Sequence, residues 1–356
     1  MNYRIASMLA EEDATTPATK TIDVDIAKPI SRITVRMRAT NNGSDPTAHP
    51  TKMLPKIELV DGSNVLFSLS GIEAQALNCY EHGYKPDQLL VYANDVMCDI
   101  AVQLNFGRFL WDEQLAFDGK KFSNPQLRIT HDLSKGGSSP DAATLSVLAH
   151  AFDELLPVPV GFLMSKEQFG YTLNGTAKES IDLATDMAYR FLIIQSLYAG
   201  RTPSQQFNKI KLSEDNDARV VINDESTSLL IYLLQKHQRF VEYILTYGLG
   251  SANLMYCTPT FLTDVKAFAL DSADATMFST QSYGGSITAT TEAAQLVQWL
   301  VSGLCPHGAL AIPFGDPALM EKWYDVSKIG ALKLILTGGS GATGTCEIVS
   351  QQLRKY

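Results

Sequence analysis

From Lys20 onward the chain alternates apolar and polar residues in short runs, the period of strands that bury one face. Ile33, Val35 and Met37 alternate with Thr34, Arg36 and Arg38. A polar loop over 42–50 follows. Ile57-Glu-Leu59-Val60 and Val65-Leu-Phe67-Ser-Leu69 then flank Asp61-Gly62, the turn pair of a hairpin. Ser70 and Glu73 stand at the spacing of a capping box, in which each side chain satisfies a backbone amide at a helix start. Ile72, Ala76, Cys79 and Tyr80 continue at helical spacing, and Gly83 is placed to end the helix. Residues 89–92 and 96–104 read as strands, and 109–117 as helix or loop. Ahead of Lys20, Ile5, Met8 and Leu9 fall on one face of a short helix. Residues 1–16 are therefore expected to form an N-terminal arm, broken by Glu11-Glu12-Asp13 and Thr15-Thr-Pro17.

This order of elements returns about 150 to 210 residues further on. Glu179-Ser-Ile181-Asp182-Leu183 parallels Lys20-Thr-Ile22-Asp23-Val24, and Leu192 and Ile194 take the places of Ile33 and Val35. Asn208-Lys-Ile210-Lys-Leu212 echoes Pro55-Lys-Ile57-Glu-Leu59. After the turn Ser213 to Asp217 come Val220-Val-Ile222 and a helical stripe of Leu229, Leu230, Leu233, Leu234, His237, Val241 and Ile244. The late segments also correspond: Gln103-Leu-Asn-Phe106-Gly107 with Ala311-Ile-Pro-Phe314-Gly315, Leu127-Arg-Ile129 with Leu332-Lys-Leu334, and Thr144-Leu-Ser-Val147 with Thr345-Cys-Glu-Ile348. Each match is short; the preserved order carries the inference of a duplicated domain. The second copy holds an extra Thr/Ser/Ala/Gly-rich stretch, about 251–305, expected to project as a tower-like loop region. It includes a helix from Glu292 to Leu304.

About eight short strands per half, long connections and a few short helices predict a mainly β chain: two tandem eight-stranded jelly-roll β-sandwiches. The expected division is an arm over 1–16, a first jelly roll over 17–160 and a second over 161–356. This order, with the Asp61-Gly62 hairpin, the helix from Ile72 to His82 and their echo at 208–245, resembles the double jelly-roll major capsid proteins of tailless icosahedral membrane-containing viruses, the PRD1-adenovirus lineage. PM2-like and Flavobacterium-infecting bacteriophages are similar in size. The resemblance implies a structural protein of the virion with no enzymatic activity. It implies a homotrimer whose six sandwiches make a pseudo-hexagonal footprint, packed against neighbouring capsomers, penton and minor capsid proteins. Threefold closure of a duplicated subunit tiles a hexagonal lattice with few gaps. It further implies assembly in the host cytoplasm and termini facing an internal membrane, with lipid as a possible partner.

Composition fits that expectation. The 356 residues are 45% hydrophobic and 19% charged, enough for sizeable cores and two domains. The net charge of −9 opposes broad binding to phosphate backbones, so no direct nucleic acid partner is expected. Cys79, Cys98, Cys257, Cys305 and Cys346 are scattered and never spaced C-x-x-C, as buried free thiols would be. No signal peptide is visible, and no apolar run is long enough to span a bilayer.

Chemical motifs are few, and no catalytic, cofactor or metal residue is assigned. Gly339-Ser-Gly341-Ala-Thr-Gly344 matches a dinucleotide fingerprint after an apolar strand, but too little chain follows for a helix and second parallel strand, so an inter-strand loop is preferred. His49, His82, His131, His150, His237 and His307 include no pair at metal-ligand spacing, which argues against a two-domain cupin. His237 reads as a hydrogen-bonded core residue. Ser213-Glu-Asp215-Asn-Asp217 resembles a calcium loop without its glycine, and a solvated turn is preferred. Asp112, Glu113, Asp153 and Glu154 read as surface acids, not a glycosidase pair. Trp111, Trp299 and Trp323 form no sugar-stacking strip, and G-x-S-x-G is absent. The competing class is a tandem jelly-roll carbohydrate- or receptor-binding module, a spike or lectin.

Overall fold

The computed structural model describes residues 2–42, 47–83, 86, 88–136, 140–154, 156–234, 236–247, 253–270, 277–282, 284–291 and 295–356. The first half runs β1 (Tyr3–Asp13), β2 (Ala18–Asp23), β3 (Ile30–Asn41), β4 (Lys56–Asp61), β5 (Asn64–Leu69), α1 (Gly71–His82), β6 (Gln88–Tyr92), β7 (Met97–Asn105), β8 (Pro125–His131) and β9 (Pro140–Phe152). The second runs β10 (Gly161–Thr172), β11 (Lys178–Leu183), β12 (Tyr189–Gln195), α2 (Pro203–Gln206), β13 (Phe207–Glu214), β14 (Arg219–Glu225), α3 (Ser226–Leu234), β15 (Phe240–Tyr247), β16 (Asn253–Tyr256), β17 (Pro259–Ala269), β18 (Met277–Ser282), β19 (Ser286–Thr291), β20 (Leu296–Pro306), β21 (Ala309–Pro313), β22 (Leu332–Gly338) and β23 (Thr345–Lys355).

In the first half, β1-β9-β3-β7 lie opposite β2-β8-β4-β5; in the second, β10-β23-β12-β21 lie opposite β11-β22-β13-β14. Counted within each half, the strand order is the same, and it is that of a jelly roll. The paired sequence blocks occupy equivalent strands. Ile22 and Ile181 lie in β2 and β11, Ile33 and Leu192 in β3 and β12, and Ile57 and Ile210 in β4 and β13. Leu104 and Ile312 lie in β7 and β21, Ile129 and Leu334 in β8 and β22, and Val147 and Ile348 in β9 and β23. The chain is a double jelly roll.

The two halves are joined edge to edge. Parallel pairing of Lys166 with Ser68 links β10 to β5, and Leu90–Tyr92 of β6 pair in parallel with Ile244–Thr246 of β15. Both long sheets therefore cross from one half to the other. Strand β12 is buried at every residue because both its faces are covered. Leu192 and Ile194 enter the second core, while Phe191 and Ile193 join the first, which also takes in Ala74 and Leu77 of α1.

Helix α1 begins as the sequence predicts. Ser70 Oγ accepts from Glu73 N (3.2 Å), and Ser70 N donates to Glu73 Oε2 (2.6 Å). Gly83 closes the helix at φ 65°. Close approach fixes Gly71, where a Cβ would lie 2.6 Å from the Thr51 carbonyl oxygen.

Three helix expectations are corrected. The segment expected to be a helical arm is β1, an edge strand paired with β9 and the first strand of the first jelly roll. Its register shifts between Ser7 and Leu9 and again between Leu9 and Glu12. The shift at Ser7/Leu9 lets both Met8 and Leu9 pack against the first core, while Ile5 is 62% exposed, so the three share no face. The stripe from Leu229 is helical only to Leu234; Val241 and Ile244 belong to β15, whose residues alternate in burial. The segment from Glu292 to Leu304 carries β20, with Val297, Trp299 and Val301 turned inward, while 292–294 lie outside the described residues. Within 251–305, β17 and β20 extend the first long sheet, and β16-β19-β18 form a separate three-stranded sheet. Met255, Ile287 and Ala289 of that small sheet enter the first core. Residues 251, 252, 271–276 and 283 of the insertion, and 43–46 of the expected polar loop, lie outside the described residues.

Candidate assembly surface and the seam between the sandwiches

The outward face of the first long sheet has two characters. On β7 and β3 it is charged: Arg36 Nε donates to Asp99 Oδ1 (2.9 Å), and Arg38 reaches both Asp99 (3.8 Å) and Glu11 of β1 (3.3 Å). On β6, β15, β20 and β17 it is richer in apolar side chains, with Gln298, Asp264 and Lys266 among them. Tyr243 pairs across from Leu300, Leu245 from Gln298, and Tyr247 from Leu296. On the far side of β20, Lys266 pairs with Leu300 and Phe268 with Gln298. Leu89, Tyr243, Tyr247, Phe268 and Leu270 are each 44–52% exposed. Strand β15 presents Val241, Tyr243, Leu245 and Tyr247 outward, yet Glu242 and Thr246 inward. The outer face of β15 is thus more apolar than its inner one, an exposed apolar patch.

The inner side of this region meets the first half along a buried polar seam. His49, Thr51, Gln75 and Gln88 come from the first half; Gln195, Glu242, Thr258 and His307 come from the second. Gln88 Nε2 donates to Glu242 Oε2 (2.6 Å), and Thr258 donates to the same carboxyl through Oγ1 (2.7 Å) and its backbone N (2.8 Å). Gln75 Nε2 donates to Gln88 Oε1 (2.8 Å), and His307 Nε2 lies 2.6 Å from Gln75 Oε1. His49 Nδ1 accepts from Thr51 N (3.2 Å), which leaves the ring proton on Nε2, facing Thr258 Oγ1 at 3.3 Å. The two imidazoles meet edge to face with centroids 4.7 Å apart. Burial drives His49 down to about 3 and His307 well below the usual histidine range, so both rings are neutral near pH 7. Burial pushes Glu242 up to about 7 against its three donors.

A second seam network gathers at the other end of α1. Arg190 Nη1 donates to Glu81 Oε1 (3.2 Å) and Gln351 Oε1 (2.8 Å). Gln351 Nε2 donates to Glu81 Oε1 (2.8 Å), and Asn105 Nδ2 to Glu81 Oε2 (2.6 Å). Arg32 Nε donates to Asn105 Oδ1 (2.6 Å). The Arg190 guanidinium lies over the Phe191 and Trp323 rings, and burial lowers its pKa despite Glu81. Tyr80 Oη, between the two networks, donates to the Ala309 carbonyl (2.7 Å).

The sequence motifs resolve as follows. The glycine-rich run 339–344 connects β22 to β23, strand to strand, and Gly341 and Gly344 adopt positive φ. In the turn at 213–217, Asp217 accepts from Lys211 Nζ (2.7 Å) and Ser213 Oγ (2.5 Å), and Asp215 Oδ1 from Ala331 N (2.9 Å). Asp112 takes a two-pronged bond from Arg108 (2.7 and 2.9 Å), and Asp153 lies 3.9 Å from Arg4. Glu113 and Glu154 are exposed. His82 sits 2.8 Å from Arg32, and His150 3.4 Å from Thr34. His131 is buried at the end of β8. His237, expected to be hydrogen-bonded, instead packs its ring on Tyr80 (4.7 Å) and leaves Nε2 without a partner. Trp111 stacks on Tyr3 (4.3 Å), and Trp299 is buried and donates to Thr246 Oγ1 (2.8 Å). All five cysteines are buried and free. Among the described residues no group of His, Cys, Asp or Glu could hold a metal ion. No spacing signal in the sequence marks the His49–His307 pairing, which joins residues from opposite halves.

The architecture defines the class, a double jelly roll with its halves fused edge to edge. Solved structures share it over nearly the full chain. The major capsid protein of the Sulfolobus Turreted Icosahedral Virus is 10% identical, with 99% of this chain and 97% of that chain covered and a TM-score of 0.61. The major capsid protein of bacteriophage PM2 is 10% identical, with coverage of 99% and 98% and a TM-score of 0.56. The PBCV-1 virus capsid is 12% identical, with coverage of 99% and 94% and a TM-score of 0.57. No family model and no curated protein sequence matches the chain. At 10–12% identity, the likeness is one of fold.

Proposed function

We propose that this chain is a major capsid protein, a structural and non-enzymatic component of an icosahedral virion shell. The observation that carries the reading is the full-length likeness of its double jelly roll to capsid proteins. The uncovered apolar face on β6, β15, β20 and β17 supports it, because a protomer with such a face has a surface to bury on assembly. In this reading three chains close into a pseudo-hexameric trimer, with one jelly roll on each side of residue 160, and only the part of 251–305 outside β17 and β20 is left to form an outward tower. Trimers meet neighbouring capsomers, penton and minor capsid proteins in a shell assembled in the host cytoplasm. The ends of the chain face an internal membrane, and the acidic chain makes no direct contact with nucleic acid.

The test is a charge placed on the apolar face. The double variant Tyr243→Glu/Leu300→Glu is expected to keep its strand content and melting temperature as a protomer and to lose self-association. Arg36→Glu on the charged half should disturb assembly far less. Undiminished assembly of the double variant would remove the apolar face from the interface.

A further inference from the structure

A cleft of about 470 Å³ opens to solvent where the two jelly rolls meet at the N-terminal end of α1. Lys52, Ile72 and Lys135 line it from the first half, and Gln195, Leu197 and Glu347 from the second. Its volume is that of a small-ligand site.

The polar groups of the cleft lack partners. Lys52 stands half-buried in the short turn 50–53. Among the described residues nothing accepts a hydrogen bond from its ammonium, and no carboxylate lies within ion-pair distance; Glu347 acts on it only through space. Glu347, half-buried on β23, has no cation within ion-pair distance either. Close by, Lys56 and Glu167 do pair, at 2.9 Å, and Glu73 is held by the Ser70 amide. Gln195, 1% exposed, donates Nε2 to the His307 carbonyl (3.1 Å), while its Oε1 accepts from nothing. Half-desolvated charges without partners are unfavourable, and a ligand that meets them regains that free energy on binding. An ammonium and a carboxylate that face one cleft from opposite halves without touching suit a molecule that carries an acceptor and a donor together.

We infer that this cleft is a binding site for an α-amino-acid group with an apolar side chain. Its carboxylate is placed toward Lys52 and Lys135, its N–H toward Glu347 and the open acceptor of Gln195, and its side chain against Ile72 and Leu197. The N-terminus of α1, which brings Ser70 and Ile72 to the cleft, adds a partial positive charge on the carboxylate side. Two sources present this group: a free amino acid, whose ammonium would pair with Glu347, and the C-terminal residue of a peptide, whose amide N–H is neutral. The cleft lies within one chain, so the inference does not depend on the capsid reading.

The experiment is calorimetric titration of the full chain with four probes at millimolar concentration: leucine, N-acetyl-leucine, leucinamide and 4-methylpentanoate. Leucinamide lacks the carboxylate and 4-methylpentanoate lacks the N–H. Leucine or N-acetyl-leucine should bind, and each truncated probe should bind about tenfold more weakly or not at all. Binding of leucine alone, lost in Glu347→Gln, identifies a free amino acid as the source. Binding of N-acetyl-leucine as tightly or more tightly, retained in Glu347→Gln, identifies a peptide C-terminus. Lys52→Met should weaken either probe by about tenfold and leave the melting temperature of the unliganded chain unchanged or higher, because it removes an ammonium that pairs with nothing. Should that variant fail to fold, Lys135→Met, at an exposed position, should still weaken binding. No heat with leucine or N-acetyl-leucine, equal affinity for leucinamide, or wild-type affinity in the lysine variants would overturn the site.

Discussion

Breaking the Glu81–Arg190 pair should cost the chain more than any surface change. The pair joins α1 of the first half to β12 of the second, with side chains 1% and 4% exposed. In Arg190→Met the apolar stem remains over Phe191 and Trp323, but Glu81 is left buried with only the Asn105 and Gln351 amides as donors. Removing one partner of such a pair costs about 3–5 kcal/mol, since the other charge stays desolvated. For a chain of this length unfolding as one unit, that loss lowers the melting temperature by about 5 °C. Glu81→Leu should cost a similar amount. The double variant should recover most of the loss, because two apolar side chains need no hydration, and the difference gives the coupling energy. Calorimetry on the four proteins measures all of this. Single variants within about 1 kcal/mol of wild type, or a double variant as unstable as the sum of the singles, would refute the reasoning.

Further outcomes follow from single sites. Ser70→Ala removes the Oγ that accepts from Glu73 N and should cost about 1 kcal/mol, read as a shift in the denaturation midpoint. Trp299→Ala empties a fully buried site in β20 and leaves Thr246 Oγ1 without its indole donor, a loss of about 3–5 kcal/mol by the same assay. Millimolar calcium should leave the melting temperature unchanged and Asp215→Ala should not alter that, since Asp215 and Asp217 are already engaged; a chelator-sensitive melt would contradict this.

How far the fold could be read in the sequence depended on how many faces of each strand are covered. Strands β3 and β8 have one buried face, so Ile33-Val35-Met37 and Leu127-Ile129 alternate visibly. The capping box at Ser70 and the Asp61-Gly62 turn are local signals and survive any packing. The strands read as helix had their period erased. In β1 two bulges did so. In β15 and β20 the apolar outer face did, placing Leu296 and Leu300 on the side opposite Val297, Trp299 and Val301. The helical period in β20 is thus a trace of its apolar outer face. The seam was hidden for another reason: His49, Gln75, Glu242 and His307 are brought together only by tertiary packing, and residues so distant in sequence carry no spacing signal.

The central claim, a self-assembling shell protein, is tested most directly by the mass of the purified chain in solution, measured by light scattering at several concentrations. The account predicts a stable species of about three times 39.0 kDa, or larger closed assemblies built from it. A monodisperse 39.0 kDa monomer at every concentration would contradict it.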